Sequence, residues 1–424
     1  MNDEIGDPAR SEVPDAETLA PVSRVRALCE QTLAANWASG ERNGLAYAYT
    51  RPSPDRYTWQ WYWDSCFSAI VWRRFDVKRS RLELESLLAA ARDDGFIGHT
   101  IFWERPVSGA RRLFYNVIEE TDFTTSTIQP PMLAWAWAAT VGDPAREPAI
   151  VAHHEYLQRE RDLEGDGLLW LLQPDESGLD ASPQFDPIWR HRAQGLPGFV
   201  ELVHRNRELG FRIQAIREAG GPIVCEVMTN VLYGLSQLAM GRPSVTAALI
   251  DRLYDERTGL FMPEAWPATE ERIPLTWSAL APLALPDLPD AIGRRLVEEH
   301  LLTTRFWTTF APPSVATDEP SFSVREHFGG LRRYWRGPMW INSAWLIWLG
   351  LVRLGYSGEA ATLARGIERA VLKSGMREFY DPHDARGMGA ESFAWSTLAL
   401  ELLEPDPDAR NSHLGAVGPG WDKA

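Results

Sequence analysis

Apolar residues recur every three or four positions along most of the chain, which is the pattern of helices with one buried face. In the segment 222–240, for example, Val224, Val227, Val231 and Leu235 fall on a single face. The same spacing predicts helices at 22–37, 63–75, 79–93, 126–140, 145–160, 196–211, 222–240, 243–253, 275–283, 289–303, 338–354, 357–373 and 390–403. The pattern contains no convincing set of strands, so the sequence predicts an all-α fold.

The connections between these helices alternate between short turns and long loops rich in glycine, proline and aromatic residues. The long loops are 41–62, 95–125, 161–195, 255–275, 304–337 and 374–389. Long loops on a rigid scaffold are the usual carriers of functional groups. Six such loops among about a dozen helices predict an (α/α)6 barrel, a toroid of six helical hairpins whose long loops form the active-site face.

The composition along the chain predicts one folded domain flanked by two tails. No shift in composition marks a second domain, so residues 21–404 are expected to form a single catalytic domain. Residues 1–20 are acidic, contain proline and lack periodicity, which predicts a disordered N-terminal tail. Residues 405–424 have a similar character and are expected to form a C-terminal tail.

Charge and hydropathy exclude several classes of partner. The net charge is −15, whereas binding to nucleic acid requires an excess of lysine and arginine. The longest apolar stretch, 340–352, is interrupted by Asn342 and Ser343 and is shorter than the roughly 20 residues of a spanning helix. The acidic N-terminus lacks the basic start and apolar core of a secretory signal. We therefore expect a cytoplasmic protein without nucleic-acid or membrane partners, and a homo-oligomer is compatible with this composition.

Two residue types with special chemistry give weaker indications. Cys29, Cys66 and Cys225 are odd in number and widely spaced within apolar patterns, which predicts buried thiols rather than disulfides or metal ligands. Nineteen tryptophans are a heavy load, and most are expected to fill a helical core. Some could instead line a sugar site, where a flat ring packs on a pyranose.

Carboxylates in the long loops are candidates for glycoside hydrolysis, which needs one acid and one carboxylate that attacks or activates water. The segment 173–183 contains Asp175, Glu176 and Asp180, and Glu391 is expected in the first turn of the last helix. Each residue also has a structural interpretation. Asp180 could cap a turn, and an acid such as Glu391 is favoured near a helix N-terminus by the backbone dipole.

Five longer strings carry a specific resemblance. They are YTWQWYWDSCF at 57–67, ETD at 120–122 with IQPP at 128–131, ESGLDASP at 176–183, YWRGPMWIN at 334–342, and EFYDP at 378–382 with GAESFAW at 389–395. In this order they resemble glycoside hydrolase family 63, and especially its bacterial mannosylglycerate and glucosylglycerate hydrolases. The resemblance covers nearly the whole predicted domain.

The resemblance implies both a fold and a mechanism. The family has an (α/α)6 barrel and inverts the anomeric configuration. Carried over by motif, Asp180 would be the general acid and Glu391 the general base, with their carboxyl groups about 6.5–9.5 Å apart. Burial against aromatic rings would keep Asp180 protonated, and a helix N-terminus would keep Glu391 ionised.

The resemblance also implies a set of substrate-binding residues and no cofactor. The set comprises Tyr57, Trp61, Trp63, Asp64, Gln129, Tyr334, Trp335, Arg336, Trp340 and Tyr380, with His327 as a further candidate. Trp63, Asp64 and Gln129 would contact the sugar, whereas the segment 334–336 would lie near the leaving group. For Arg336 a structural ion pair is an equal alternative.

Two stretches depart from established patterns. Family members hold glycerate with basic and tyrosine side chains around 200–217, but here that stretch offers Arg205, Arg207, Arg212 and Arg217 without a tyrosine. The pocket for the leaving group is therefore expected to differ. The segment 162–167 imitates the start of a calcium-binding loop, but Gln173 stands where a bidentate glutamate is needed. A plain turn is favoured, and no metal is predicted.

The expected function is hydrolysis of a small sugar conjugate such as glucosylglycerate, mannosylglycerate or a related α-glucoside. A sugar phosphorylase or epimerase on the same barrel is one alternative, since fold alone does not decide function. The adjacent His153 and His154 are expected on a polar helix face, which disfavours an epimerase. A carbohydrate-binding protein without catalysis is the other alternative.

Overall fold

The computed structural model describes residues 20–113, 115–118, 123–140, 144–328, 331–332 and 334–405. The two predicted tails lie outside these ranges except for residues 20 and 405. The described part contains fourteen α-helices: α1 (Pro21–Asn36), α2 (Tyr62–Trp72), α3 (Val77–Ala89), α4 (Leu133–Ala139), α5 (Glu147–Arg161), α6 (Asp186–Trp189), α7 (Leu196–Glu208), α8 (Ile213–Glu218), α9 (Val227–Ala239), α10 (Thr246–Leu253), α11 (Asp290–Arg295), α12 (Ile341–Leu354), α13 (Ser357–Ser374) and α14 (Ala399–Leu403).

Short antiparallel strands occupy the long connections. The described residues form β1 (Trp37–Arg42), β2 (Leu45–Thr50), β3 (Gln60–Trp61), β4 (Thr100–Ile101), β5 (Trp170–Leu171), β6 (Ile223–Cys225), β7 (Tyr254–Asp255), β8 (Leu260–Phe261), β9 (Glu264–Trp266), β10 (His327–Phe328), β11 (Leu331–Arg332), β12 (Arg377–Tyr380) and β13 (Gly387–Glu391). Strands β5, β6 and β9 form a three-stranded sheet, and the others pair in twos.

Six helical elements form a closed inner ring. In order around the ring they are α2, α4, α9, the 3₁₀ helix Trp277–Ala284, α12 and the 3₁₀ helix Ala394–Leu398, and the last of these contacts α2 again. Every residue of α2 and of both 3₁₀ helices is buried. Apolar residues on all sides are what a helix needs when it is covered on all sides.

A second layer of helices covers this ring. Helix α3 packs on α2, α10 packs on α9, and α11 and α13 pack on α12, while α1 contacts both α13 and α14. These outer helices are amphipathic: in α13, Leu363, Ile367 and Val371 are buried while Arg365 and Arg369 are exposed. The chain is therefore helix-rich, as its periodicity predicts.

Aromatic rings fill the centre of the inner ring. The rings of Trp135 in α4 and Trp345 in α12 stack with centroids 5.2 Å apart, and Phe67 of α2 meets Trp345 edge-on. Both tryptophans are buried, as expected for a helical core. The prediction for the cysteines is also confirmed, because Cys29, Cys66 and Cys225 are buried free thiols.

The prediction that the chain lacks strands is wrong. Most strands here are only two or three residues long, which is too short for an alternating pattern to show in the sequence. Several helix boundaries differ for related reasons. The predicted helix 126–140 is helical only from Leu133, after Pro130 and Pro131, and the predicted helix 222–240 begins with strand β6. Proline removes a backbone donor and resists a helical interior.

The expected position of His153 and His154 on a polar face is also wrong. Both side chains are buried in α5, where the His153 ring bonds the Tyr62 hydroxyl at 3.0 Å and His154 stacks on Tyr233. Burial lowers the pKa of His153 to about 4, so the ring is neutral at pH 7. These rings are part of the core packing.

Across the described ranges, every helix is either too short or too polar to span a membrane.

Candidate active site

A cavity of about 130 Å³ lies at the end of the ring where α2 begins. It is lined by Pro52, Tyr57, Trp61, Trp63, Asp64, His99, Gln129, Gly178, Asp180, Tyr334, Phe393 and Trp395. Six of the ten predicted substrate-binding residues and the predicted acid are in this set. Aromatic walls with a few converging polar groups are typical of a site for a small polar ligand.

Close contacts hold the Trp63 side of this cavity in position. The amide of Trp63 donates to Gln129 Oε1 at 3.0 Å, which joins α2 to the loop before α4. Gly178 has a φ of +69°, and a Cβ atom there would lie 2.6 Å from the Trp63 ring. Glycine therefore satisfies both the backbone conformation and the close approach.

The Asp64 carboxyl group enters the cavity from the first turn of α2 and is almost completely buried. Burial raises the pKa of Asp64 well above its usual value, and the nearby charge of Glu378 raises it further. Asp180 contributes to the same pKa shift in the same direction. The charges of Glu378, Glu83 and Asp180 thus all favour the protonated form of Asp64, and in that form Asp64 can donate a hydrogen bond into the cavity.

A second buried carboxyl group, Glu83, holds the beginning of α2 in place. Its Oε1 accepts from the Ser65 hydroxyl at 2.6 Å, and its Oε2 accepts from the amide and hydroxyl of Thr50 at 2.8 and 2.7 Å. Gln60 donates to Ser65 Oγ and to the Glu83 backbone oxygen. Burial outweighs these hydrogen bonds and raises the pKa of Glu83 to about 8.

This shifted pKa predicts a specific pH dependence of stability. Between pH 4.5 and about 8 the folded chain keeps a proton on Glu83 that the unfolded chain has released. The free energy of unfolding contributed by Glu83 should therefore fall as the pH rises through this window. Urea unfolding at pH 5, 6, 7 and 8 should show Glu83→Gln gaining stability relative to the parent chain. A constant difference across this range would contradict the expectation.

Glu378 is a candidate that is absent from the sequence-predicted site. It lies in β12, is fully buried, and its Oε1 accepts a hydrogen bond from the Tyr334 hydroxyl. Its Oε2 accepts from the Ala390 amide at 2.8 Å, and its backbone oxygen accepts from the indole of Trp395 at 3.0 Å. A Cβ atom on Gly389 would lie 2.5 Å from Glu378 Oε2, so glycine leaves room for this carboxyl group. A buried carboxylate behind two cavity-lining rings is a typical functional candidate.

The structure does not bring Glu391 to the cavity. The expected position in the first turn of a helix is wrong, because Glu391 is the last residue of β13. Its side chain is 76% exposed and bonds Arg377 at 2.5 Å, and both residues line a separate surface pocket beside α1. Arg377 and Glu391 face each other across the β12–β13 pair, so they share one face. The register of the pair shifts between Arg377 and Phe379, and at this irregularity Glu378 is fully buried.

Asp180 lies where the cavity meets a second, larger cavity, and it lines both. The expected burial of Asp180 is wrong, because the side chain is exposed in this structure. The next residue, Ala181, has a φ of +59°. A non-glycine residue in this region stores about 1–3 kcal/mol of strain, a feature that clusters at functional sites.

Asp175, one of the loop carboxylates considered from the sequence, also lies at this junction together with His99, which sequence reasoning did not single out. The Asp175 carboxyl group is buried and accepts from the side-chain amides of Asn116 and Gln173, both at 2.6 Å. Burial raises the pKa of Asp175 to about 8, and the charge of Asp180 adds to the shift. Burial lowers the pKa of His99 to about 3, so its ring is neutral 3.8 Å from Asp175.

Four predicted substrate-binding residues lie outside the cavity wall. Arg336 makes two bonds to the Asp186 carboxylate, at 2.5 and 2.8 Å, which corresponds to the structural alternative. Trp335 and Trp340 are buried and stack with centroids 3.7 Å apart. Tyr380 is buried, and its hydroxyl donates to the Gly375 carbonyl oxygen at 2.8 Å. These residues support Tyr334 and β12 from behind. The His327 side chain lies outside the described part.

The loop that imitates a calcium site uses its acids for structural contacts. The Asp162 carboxylate accepts from the amides of Gly165, Asp166 and Gly167, and Asp166 bonds Arg252 at 2.6 Å. These contacts describe a turn. Across the described ranges, no three His, Cys, Asp or Glu side chains form a group that could hold a metal ion.

Known proteins resemble this chain in both sequence and fold. The profile of the mannosylglycerate hydrolase MGH1-like glycoside hydrolase domain matches residues 57–225 and 235–396. A mannosylglycerate hydrolase of Rubrobacter radiotolerans is 28% identical over 421 residues, covering 83% of this chain and 92% of that protein. A glucosylglycerate hydrolase of Mycolicibacterium hassiacum is 24% identical over 422 residues, covering 83% of this chain and 93% of that protein.

A solved structure extends the likeness to the fold. The crystal structure of a family 63 mannosylglycerate hydrolase from Thermus thermophilus, in complex with Tris and D-glycerate, matches with a TM-score of 0.72. The match has 24% identity and covers 89% of this chain and 99% of that one. The resemblance stated from the sequence motifs is thereby confirmed. The chain belongs to the MGH1-like glycoside hydrolases of glycoside hydrolase family 63.

Proposed function

We propose that this glycoside hydrolase cleaves a small α-glucoside or α-mannoside with inversion, using Asp180 as the general acid and Glu378 as the general base. The observation that carries the proposal is the position of three carboxyl groups: Asp64 and Asp180 line one aromatic cavity, and Glu378 lies directly behind the Tyr334 ring in its wall. Relatives named for glucosylglycerate and mannosylglycerate support both sugars as candidates. We further propose that the closed inner ring and its covering helices form the (α/α)6 barrel expected from the sequence.

The two catalytic carboxyl groups have different surroundings, as the reaction requires. Asp180 stands at the junction of the two cavities, where it can protonate the oxygen between sugar and leaving group. Glu378 lies behind Tyr334 and accepts a hydrogen bond from its hydroxyl. When a water molecule takes the place of that hydroxyl, Glu378 can remove a proton as the water attacks the anomeric carbon.

The remaining polar and aromatic groups hold the sugar. Trp61 is a cavity-lining ring whose indole nitrogen has no hydrogen-bond partner in the described residues, so it can donate to a sugar hydroxyl. Asp64 and Gln129 supply further polar contacts, and Trp395 offers an apolar ring. Carboxyl, amide and indole groups around an aromatic wall suit a pyranose.

Hydrolysis of a substrate panel, followed by proton NMR of the first sugar released, tests this proposal. The panel comprises mannosylglycerate, glucosylglycerate, glucosylglycerol, trehalose and kojibiose. We expect turnover of an α-linked member with initial release of the β-sugar, because water attacks opposite the leaving group. Initial release of the α-sugar would reject inversion. Release of a sugar phosphate that depends on added phosphate would instead establish a phosphorylase.

A further inference from the structure

The second cavity lies on the leaving-group side of Asp180. It has a volume of about 380 Å³, against about 130 Å³ for the sugar cavity, and both share Asp180 and Tyr334 as lining residues. A bond protonated by Asp180 would have its sugar in the first cavity and its leaving group in the second. The second cavity is therefore roomy enough to accept a leaving group larger than a three-carbon acid.

Much of the wall of this cavity is apolar. Leu196 and Phe199 of α7 contribute large side chains, and Ala181, Ala193 and Pro174 contribute small ones. Leu196 is 57% exposed, which makes it one of the most exposed large apolar side chains of the described chain. An apolar ligand group placed against Leu196 would remove this surface from water, and such burial is favourable.

Charge in the same cavity gives little support to an anionic leaving group. Among the described residues that line the cavity, Arg192 is the one cation, and it donates two hydrogen bonds to the Glu201 carboxylate, at 2.9 and 2.5 Å. The other described ionisable groups of the wall are Tyr334, Asp175 and Asp180, and none of them supplies a positive charge that could hold an anion. An anion is held most strongly by charge-assisted hydrogen bonds from a cation such as arginine, and a carboxylate already bonded to that cation competes with the anion.

The arginines expected to hold an acidic leaving group are absent from the cavity wall. Arg207 donates to the backbone oxygens of Arg112, Tyr115 and Val117, at 2.6 to 3.0 Å. Arg217 pairs with Glu164 at 2.7 Å. Neither Arg205 nor Arg212 lines the cavity. The described part of the cavity wall thus offers an anion no cation that lacks an acidic partner of its own, which favours an uncharged occupant.

We infer that the leaving group is an uncharged alcohol with an apolar part larger than glycerate, held against Leu196 and Phe199. The inference rests on the proposed function, because it assigns the second cavity by the position of Asp180. It names the class of substrate as an α-glycoside of an apolar alcohol. An enzyme of this kind releases the free sugar and leaves the alcohol without charge.

The test compares leaving groups on the same sugar. Benzyl α-D-glucoside and benzyl α-D-mannoside carry an uncharged apolar alcohol, whereas glucosylglycerate and mannosylglycerate carry an acid. The matching α-glycosyl fluorides report on the sugar cavity alone, because fluoride is small and departs without a proton. We expect kcat/KM for the benzyl glycoside to exceed that for the glycerate conjugate by about tenfold or more. A preference of that size for the glycerate conjugate would overturn the inference.

Two leucines provide a matched pair of variants. Leu196→Ser should lower the ratio of kcat/KM for the benzyl glycoside to that for the fluoride by roughly tenfold. Leu113 is 56% exposed and lines neither cavity, so Leu113→Ser should leave this ratio unchanged. Equal ratios in both variants would show that Leu196 does not contact the leaving group, which would contradict the inference.

The outcomes separate this inference from the proposed function. Hydrolysis of a fluoride together with a preference for the glycerate conjugate would keep the hydrolase and reject the apolar alcohol. Arg192→Gln would then lower turnover of the glycerate conjugate more than turnover of the benzyl glycoside. Absence of turnover of all six substrates would reject the proposed function, and this inference with it.

Discussion

Replacing Glu378 by glutamine should lower kcat for glycoside hydrolysis by about 10²–10⁴-fold, whereas the same replacement at Glu391 should have little effect. The expectation follows from position. Glu378 is buried behind Tyr334, next to the cavity, whereas Glu391 is 76% exposed beside Arg377. A carboxylate that removes a proton from water cannot be replaced by an amide, because the amide is not a base.

The Glu391→Gln variant is a matched control, because the chemical change is the same and only the location differs. Steady-state kinetics on the best panel substrate would measure both variants, with thermal unfolding to confirm that each is folded. Glu378→Gln keeps an oxygen that can accept from the Tyr334 hydroxyl or the Ala390 amide, so its fold should persist. Full activity in Glu378→Gln with loss in Glu391→Gln would restore the assignment made from the sequence.

The acid half of this prediction concerns Asp180. Asp180→Asn should lower hydrolysis of an O-glycoside by about 10²–10⁴-fold, because the leaving oxygen receives no proton. Hydrolysis of the α-glycosyl fluoride should fall much less, because fluoride needs no proton to depart. An equal loss on both substrates would assign Asp180 to a role other than general acid.

The helical framework could be predicted from the sequence because its signal is long and regular. Helices α1, α9 and α13 present apolar residues at helical spacing over 13 to 18 residues, and this face is buried as expected. The strands could not be predicted in the same way. A strand such as β3 has only two residues, which is too short for a periodic pattern, and it exists because it pairs with β4.

The candidate site was predictable in its motifs but not in the direction of each side chain. EFYDP and GAESFAW each contain one glutamate, and the sequence does not say which of them faces inward. Pairing of β12 with β13 decides this, because it places Glu391 opposite Arg377 on the exposed face. The helix expected at Glu391 begins only later, with the 3₁₀ helix Ala394–Leu398. Glu391 therefore precedes the helix, and the stabilisation by a helix dipole that the sequence predicts does not apply to it.

The sequence likewise could not show which aromatic and charged residues of the 334–342 motif line the cavity and which lie behind it. Tyr334 lines the cavity, whereas Trp335 and Trp340 stack behind it and Arg336 is paired with Asp186. A motif preserves a whole local arrangement, so it includes residues that contact a ligand and residues that position them. Only the packing around each side chain distinguishes these two roles.

Breaking the buried ion pair between Arg161 and Glu176 should give the largest loss of stability. The two side chains are 3% and 0% exposed, and the guanidinium nitrogens bond both carboxylate oxygens at 2.6 and 2.7 Å. The same carboxylate accepts from the amides of Ile128 and Leu172. Arg161→Met would leave a buried charge without its partner, so the free energy of unfolding should fall by about 3–5 kcal/mol.

The neighbouring Arg159 provides the control for this substitution. Arg159 pairs with Glu160 on the surface, where both side chains are about half exposed, so Arg159→Met should change stability by no more than about 1 kcal/mol. Urea unfolding followed by tryptophan fluorescence would compare the two variants with the parent chain. Equal stabilities would show that the buried pair gains no more from its contacts than it loses by leaving water.

The same pair connects stability to the site. Glu176 accepts a hydrogen bond from the backbone amide of Ile128, which precedes the cavity residue Gln129. Glu176 itself lies in the short helical turn Pro174–Ser177, three residues before Asp180. Loss of Arg161 should therefore loosen both sides of the sugar cavity before the whole chain unfolds. In Arg161→Met, kcat/KM for the α-glycosyl fluoride should fall even at temperatures where the variant remains folded. A variant that is destabilised yet hydrolyses the fluoride at the parental rate would show that the ion pair supports the fold without shaping the site.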